Sequence, residues 1–248
     1  MTSPAVSIEN ISFRYEGQEK MCFSNLSLQI TEGGRFGLFG PNGAGKTTLM
    51  HCMTGLVSVQ QGKIFVFGNQ VKKHDKSVNH FFGFVPQDFS FYQELTPTEN
   101  LEFFGAWHGL HKKEIKKRAA ELLEILGLTE VANKQVQKFS GGMKRRVNLA
   151  IGVINHPRIL FLDEPTVGVD VQTRHAIINY LKALNDKGTT LIYTSHQLHE
   201  AEDLCEHIAL IDEGKIIADD TLDNLIKAHD AHALEGLFLK LTGKKYRD

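Results

Sequence analysis

The sequence predicts an α/β fold in which a core of alternating strands and helices is interrupted by a helical insert. Three observations predict it. Short apolar runs alternate with longer amphipathic stretches along most of the chain. A glycine-rich loop, GPNGAGKTT at residues 40–48, joins an apolar run to an amphipathic one. Between residues 88 and 156 the pattern is mostly helical.

In chain order, VSIENISF at 6–13 and LSLQI at 26–30 read as strands. RFGLF, Arg35–Phe39, is a third strand, running straight into the glycine-rich loop. Residues 46–54 read as a helix, and strands return at 63–67 and Phe82–Val85. The insert holds amphipathic helices at 98–108, 112–126 and 140–154. Strands follow at 159–162, 189–194 and 207–211, with a helix at 171–184 among them. From residue 221 the tail reads as two short helices. Internal repeats and low-complexity segments are absent from the pattern.

Composition narrows the class. The chain has 248 residues, 42% of them hydrophobic and 23% charged, which suits a globular domain with a substantial core. The net charge of −1 provides no global basic field, so no nucleic-acid partner is expected. The basic run HKKEIKKR at 111–118 reads as the solvated face of a helix. Three cysteines, Cys22, Cys52 and Cys205, lie far apart with no metal-ligand spacing, which fits unpaired thiols in a reducing compartment. His196 and His199 lack an evident third ligand and read as no metal pair. The N-terminus lacks the basic start and apolar run of a leader peptide, and no stretch approaches 18 consecutive apolar residues. If the protein works at a membrane, another chain is expected to supply the membrane part.

The glycine-rich loop fits G-x-x-x-x-G-K-[ST], the phosphate-loop spacing. Within the nucleotide-binding stretch Gly40, Pro41, Asn42, Gly43, Ala44 and Gly45, the glycines let backbone N–H groups curl around phosphate oxygens without side-chain clashes. The helix that follows aims its positive end at the same phosphates. Lys46 is expected to reach the β- and γ-phosphates, the Thr47 hydroxyl to ligate Mg²⁺, and Thr48 to complete the nucleotide-binding stretch.

Two further features bear on the same chemistry. Asp163 and Glu164 follow an apolar strand, at the strand end where open α/β sheets place ligands. There Asp163 is expected to hold Mg²⁺ through water and Glu164 to polarise an attacking water. FSGGM at 139–143 opens the helix KRRVNLAIGVI, with Ser140 as N-cap and Gly141 and Gly142 leaving room for a phosphate. Lys144–Arg146, next in the chain, are read as raising the local positive potential.

FSGGM ahead of LFLDEPTVGVD resembles the signature motif, Walker B strand and D-loop of the ATP-binding-cassette (ABC) ATPases. The signature departs from the common LSGGQ at its first and last positions, which leaves the glutamine's ribose-side contact without a counterpart at Met143. The resemblance implies that Tyr15, in FRYEG, stacks on adenine. It implies that Gln87, in FVPQ, senses Mg²⁺ and the γ-phosphate, that Asp170 is the D-loop aspartate, and that His196, in YTSH, contacts the γ-phosphate. It implies a P-loop NTPase core with an N-terminal antiparallel β subdomain over 1–87 and 157–220, an inserted α-helical subdomain over 88–156, and a short helical tail over 221–248.

DEPTVGVDVQTR and the ending LEGLFLKLTG resemble exporter subunits of the ABC-2 type. That implies ATP and Mg²⁺ as cofactors, a separate transmembrane permease subunit, and a second ATPase subunit in a homo- or heterodimer. It also implies a place on the cytoplasmic face of the cell membrane, held through the permease. The competing expectation is an ABC ATPase without a transport role, such as a cluster-assembly ATPase. Members acting in translation or DNA repair carry a second cassette or a long coiled coil, which 248 residues do not accommodate. The aromatics Phe89, Phe91 and Tyr92 are expected to anchor the permease, and Phe81, Phe82 and Phe84 to serve the core.

Overall fold

Residues 4–72, 78–229 and 233–243 are described by the structure, a computed structural model. Residues 1–3, read above for a leader, and parts of the tail expected from 221 lie outside the described residues. The chain folds as two units, one holding the described residues up to Asn79 and from Thr190 onward, the other His80–Thr189.

In the first unit, strict alternation makes the leading sheet. Along β2 (Phe23–Thr31), Leu26, Leu28 and Ile30 are buried while Ser27 and Gln29 face out. It pairs antiparallel with β1 (Pro4–Phe13), Ile8 opposite Leu28 and Val6 opposite Ile30. β1 also pairs antiparallel with β4 (Gln61–Val66), and the two-residue β5 (Asn69–Gln70) closes the order β2-β1-β4-β5. This is the antiparallel β subdomain expected at the N-terminus.

A different pattern makes the second sheet of this unit. β3 (Arg35–Phe39) is buried from Phe36 to Phe39, as befits a parallel strand covered on both faces. It lies parallel between β8 (Thr190–Ser195) and β9 (His207–Asp212), and β10 (Lys215–Thr221) runs antiparallel beside β9. Helix α1 (Lys46–Met53) buries Leu49, Met50, Cys52 and Met53. Burial pushes the Cys52 thiol up to about 12 and raises that of Cys205 as well, so both remain protonated. The unit is completed by α6 (Leu198–Leu204), α7 (Leu222–Ala228) and α8 (Leu234–Thr242). Helix α8 buries Leu234, Leu237 and Phe238, and the Leu234 N–H donates to Glu202 Oε1 at 3.1 Å.

The second unit is the helical one. Helix α2 (Pro97–Trp107) starts at a full capping box between Thr96 and Glu99 with Pro97 in its first turn. It packs on α3 (Lys112–Ile125) where Gly105 meets Ile115. The lysines of the basic run on α3 are exposed, and Ile115, Ala119, Leu122 and Leu123 face inward. Two parallel strands, β6 (Phe82–Val85) and β7 (Ile159–Asp163), pair with Phe82 opposite Ile159 and Val85 opposite Leu162. Helices α4 (Gly141–Gly152) and α5 (Val171–Asn185) complete the unit. Phe82 rests edge-on against the fully buried Phe161, while Phe81, Phe82 and Phe84 themselves are half-buried.

Among the described residues, β5, β10 and α6 are elements that periodicity did not predict. Among the described residues no helix is long and apolar enough to cross a membrane.

Helix α4 and strand β6 approach each other closely. A Cβ on Gly83 would run into the backbone carbonyl of Gly152, and one on Gly152 would meet Val85 and the Phe84 carbonyl. Gly83→Ala therefore forces a helix and a strand apart. It is expected to lower stability by about 2 kcal/mol, read as a shift in the denaturant midpoint at constant slope. An unchanged midpoint would refute the contact.

Candidate functional site

The phosphate-loop residues lie in the first unit. The loop leaves the buried end of β3 at Gly40, where a Cβ would collide with the Ile211 carbonyl of β9, so only glycine lets the chain turn there. It enters α1 through Gly45, in the left-handed region at φ 110° with Phe23 against the site of a Cβ. No side chain caps α1. Lys46, 5% exposed, folds back so that Nζ donates to the Gly40 oxygen at 2.8 Å and the Pro41 oxygen at 3.2 Å. One cation thus ties the first carbonyls of the loop to its last residues, and Thr47 and Thr48 follow on the first turn of the helix.

Tyr15 belongs to the same neighbourhood. Its Oη shares a hydrogen bond of 3.2 Å with Thr48 Oγ1, and its ring stands edge-on to Phe13 at 4.9 Å. The ring is 36% exposed, leaving a surface on which a flat group can stack.

His196 begins the turn after β8. In the β3–β8 ladder Phe39 is the register partner of Ser195, so Gly40 and His196 start the two loops that leave neighbouring strands side by side. A buried carboxylate holds this turn. Glu200, 2% exposed, accepts from Tyr193 Oη at 2.8 Å and Ser195 Oγ at 2.7 Å, and Ser195 Oγ accepts from the Gln197 N–H at 2.9 Å.

The second unit carries the other candidate residues. Asp163 and Glu164, 1% and 5% exposed, end β7. Glu164 adopts φ 49°, a left-handed conformation that a non-glycine residue takes only under constraint. Gln87, just past β6, donates from Nε2 to Glu164 Oε2 at 3.1 Å. The structure therefore brings together the two residues that sequence spacing separates by the whole helical insert.

Ser140 caps α4, its Oγ accepting from the Met143 N–H at 3.3 Å, and Gly141 and Gly142 form the first turn. Beside them Asp170 caps α5: Oδ1 accepts from the Thr173 N–H at 2.9 Å and Oδ2 from the Thr173 hydroxyl at 2.7 Å. A Cβ on Gly142 would press on the Thr173 hydroxyl, so the two helix N-termini adjoin.

Of Lys144–Arg146, expected to raise the local positive potential, two direct their guanidinium groups to backbone carbonyls. Arg145 is buried and reaches Gln87 and Val167 with its guanidinium, and Arg146 Nη1 donates to the Leu126 carbonyl at 2.9 Å. Burial lowers the pKa of Arg145, and the nearby carboxylates of Asp88 and Glu164 oppose that shift. Nothing in the sequence separates Arg145 from its basic neighbours except its place on the inward face of the helix. Asn148, one turn on, donates to the Pro86 carbonyl at 3.0 Å. Phe91, taken from sequence as a docking anchor, is 8% exposed and stacked on Phe89, so it belongs to the core.

A family model described as ABC transporter matches residues 23–167, a span that holds the phosphate loop, Gln87, FSGGM and the Asp163–Glu164 pair. The linearmycin resistance ATP-binding protein of Bacillus subtilis is 45% identical over 217 residues, covering 88% of this chain and 69% of that protein. The chain belongs to the ABC transporter ATP-binding family.

This ABC ATPase is also 37% identical to a daunorubicin resistance ATP-binding protein of Streptomyces coeruleorubidus, over 91% of this chain and 71% of that one. It is 38% identical to a Nod factor export ATP-binding protein of Rhizobium sp., over 90% and 74% respectively. Among solved structures it resembles the ATP-binding subunit of an ABC transporter, with a TM-score of 0.87 at 26% identity over 96% of this chain and 99% of that one. It also resembles a dimeric cassette in a post-hydrolysis state with ADP and Pi, with a TM-score of 0.80 at 28% identity over 88% and 98%. It is an ATP-binding enzyme that hydrolyses ATP.

The Asp170 carboxyl is held below the ordinary aspartate range, chiefly by the backbone and side-chain hydrogen bonds from Thr173. Its support of α5 is complete above the unfolded-state pKa and fades as pH falls through the lowered folded value. Thr173→Ala is expected to move the Asp170 pKa up toward the ordinary value in an NMR titration. An unmoved pKa would show that the Thr173 hydroxyl is no partner.

Proposed function

We propose that this ABC ATPase drives export across a membrane through a separate transmembrane permease subunit, on the cytoplasmic face of the cell membrane. The observation that carries the reading is the 45% identity, over 88% of the chain, to a resistance ATP-binding protein, with a Nod factor export ATP-binding protein among the further relatives. The working unit is a dimer with a second ATPase subunit. The likeness to a dimeric cassette holding ADP and Pi supports this, as does the surplus of helix N-termini that can face phosphate, at Lys46 and at Ser140.

In this reading Tyr15 stacks on adenine, and the loop from Gly40 to Thr48, through Pro41, Asn42, Gly43, Ala44 and Gly45, wraps the phosphates. Lys46 neutralises charge on the β- and γ-phosphates, and His196 contacts the γ-phosphate. Ser140, Gly141 and Gly142 of one chain cap the nucleotide held by the other, with Asp170 at the joint. Thr47, Gln87 and Asp163 are the residues that would hold Mg²⁺. Their donors are a hydroxyl, an amide and a carboxylate, oxygen ligands suited to a hard divalent cation, and Asp163 is buried at a strand end. The ion supplies charge neutralisation for the phosphates when bound. Glu164 orients the attacking water and takes its proton as the oxygen bonds to the γ-phosphorus, giving ADP and phosphate.

Glu164→Gln is expected to retain ATP affinity and to lower turnover by about 10²- to 10⁴-fold, and to collect as a dimer with ATP on size exclusion. Lys46→Ala should weaken nucleotide binding itself. Near-normal steady-state hydrolysis by the Glu164→Gln protein would overturn the assignment.

The helical stretch 88–156 is proposed to face the permease. Tyr92 is 48% exposed and stands edge-on to Phe103, itself 42% exposed, and Trp107, one turn further along α2, is 75% exposed. Exposed aromatics grouped on one helix and its leading loop are suited to anchor a partner. A Tyr92→Ala, Phe103→Ala double variant should keep its fold and basal ATP hydrolysis yet lose transport in cells by about ten-fold or more. Unimpaired transport would remove these rings from the interface.

A further inference from the structure

Of the basic residues on α4, Arg145 alone is fully turned inward, at 6% exposure. Its Nη1 donates to the Gln87 carbonyl at 2.6 Å and its Nη2 to the Val167 carbonyl at 3.3 Å. The guanidinium carbon lies 4.8 Å from the centroid of the Phe89 ring. These contacts come from two segments: residues 87–89, which follow β6, and the turn that follows β7.

A guanidinium is suited to this place. Its planar fork presents two N–H groups to two carbonyls at once, and its face can lie on an aromatic ring. Burying a cation is costly unless hydrogen bonds and opposite charge offset the loss of water. Here two carbonyls do so, with the carboxylates of Asp88 and Glu164 nearby.

The consequence lies at the Gln87–Glu164 hydrogen bond. Gln87 is exposed, and its amide reaches Glu164 at the end of a flexible side chain. Its backbone, however, is fixed from α4 twice over, by Arg145 at the Gln87 carbonyl and by Asn148 at the Pro86 carbonyl. On the other side, the Val167 N–H donates to the Glu164 carbonyl at 3.3 Å, closing a turn whose first residue is Glu164 in its left-handed conformation. Arg145 grips that turn at its far end, through the Val167 carbonyl. One guanidinium therefore holds the backbone behind both partners of the bond.

We propose that Arg145 is a positioning residue for ATP hydrolysis, locking the Gln87 backbone to the turn that begins at Glu164. The proposal rests on the reading of Glu164 as the residue that orients the attacking water. Without the lock, the amide and the carboxylate each gain freedom, and a small misplacement at the water is enough to slow the chemical step. The loop at 40–48, which holds ATP through other residues, keeps its grip.

The experiment compares purified Arg145→Ala, Arg145→Lys, Gln87→Ala and the Gln87→Ala, Arg145→Ala double variant. Steady-state ATP hydrolysis, ATP binding and thermal melting are measured on each. Arg145→Ala is expected to lower kcat about ten-fold and leave the ATP dissociation constant within about two-fold. Arg145→Lys keeps the charge and the stem but cannot bridge both carbonyls, so it too lowers kcat, with an unchanged melting temperature. In the Gln87→Ala background, removal of Arg145 costs less than in the wild type, because only the Glu164 side of the lock is left to lose.

Wild-type kcat in either folded Arg145 variant would overturn the proposal, as would an undiminished loss in the Gln87→Ala background. If Arg145→Ala melts early, the Lys variant decides. Glu164→Gln is run alongside. An active Glu164→Gln protein defeats the reading of Glu164, whereas an inactive one beside a normal Arg145 variant defeats this inference alone.

Discussion

The close packing of helix α4 against strand β6 is the contact around which the second unit is organised. At one end Gly152 and Gly83 let helix and strand backbones touch, with no room for a Cβ on either. Further along, Asn148 meets the Pro86 carbonyl, and Arg145 meets that of Gln87. As the helix descends from residue 152 to 145, the facing chain climbs from 83 to 87, so a single seam runs from core to loop. The apolar end sets the distance, and the polar end uses that distance to satisfy carbonyls that have left the sheet ladder. Loosening the glycine end would shift every hydrogen bond farther along the seam, which is why two small residues buried away from the nucleotide motifs matter to Gln87 and Glu164.

The first unit solves a similar problem with a parallel ladder. β3 and β8 run in register to their ends, Phe39 opposite Ser195, and each then releases a loop. Phe39 packs against Tyr193, ring centroids 6.2 Å apart, so the last apolar layer beneath the two loops is shared. Above that layer the chain needs polar anchors. Lys46 provides one for the loop at 40–46, and Glu200 provides the other by accepting from Tyr193 and Ser195. Both anchors are buried. The donors to Glu200 are side chains of β8 and the acceptors of Lys46 are the carbonyls that directly follow β3, so hydrogen bonds offset the cost of desolvation.

Residues with chemistry at fixed spacing were legible in the sequence. The phosphate loop, the carboxylate pair at the end of an apolar strand and the serine that caps a helix each declare themselves locally, and β3, β6 and the helices of the insert fall close to where periodicity places them. What escaped was decided by tertiary contact. β10, KIIADDT, carries too little apolar alternation to read as a strand and forms because β9 offers it an edge. Helix α6 spans seven residues, too few for a 3.6-residue period to declare itself. Arg145 lies inside KRR, and only the direction of its face on α4 distinguishes it from a solvated charge. Phe91 and Tyr92 are adjacent and alike in sequence, yet one is 8% and the other 48% exposed, a difference set by the aromatic neighbours each turns toward.

The helix ends show how the same backbone chemistry is tuned for different tasks. Helix α5 is capped by Asp170, whose two oxygens are both engaged by Thr173, so its N-terminus is satisfied from within. Helix α4 is capped by Ser140 through a single bond of 3.3 Å, at the long end for a hydrogen bond from an N–H group, with two glycines behind it. Helix α1 has no side-chain cap and is entered through a left-handed glycine. An N-terminus attracts an anion in proportion to the N–H groups left without a side-chain acceptor. By that measure α1 is the most open to phosphate, α4 is weakly closed, and α5 is shut. The order matches the proposed division of labour. The helix that must hold nucleotide in its own chain carries no competing acceptor. The helix that meets another chain's nucleotide keeps a hydroxyl that caps it in isolation and can be recruited by a stronger acceptor. Helix α5 is capped by a carboxylate, which would repel a phosphate placed directly on that N-terminus.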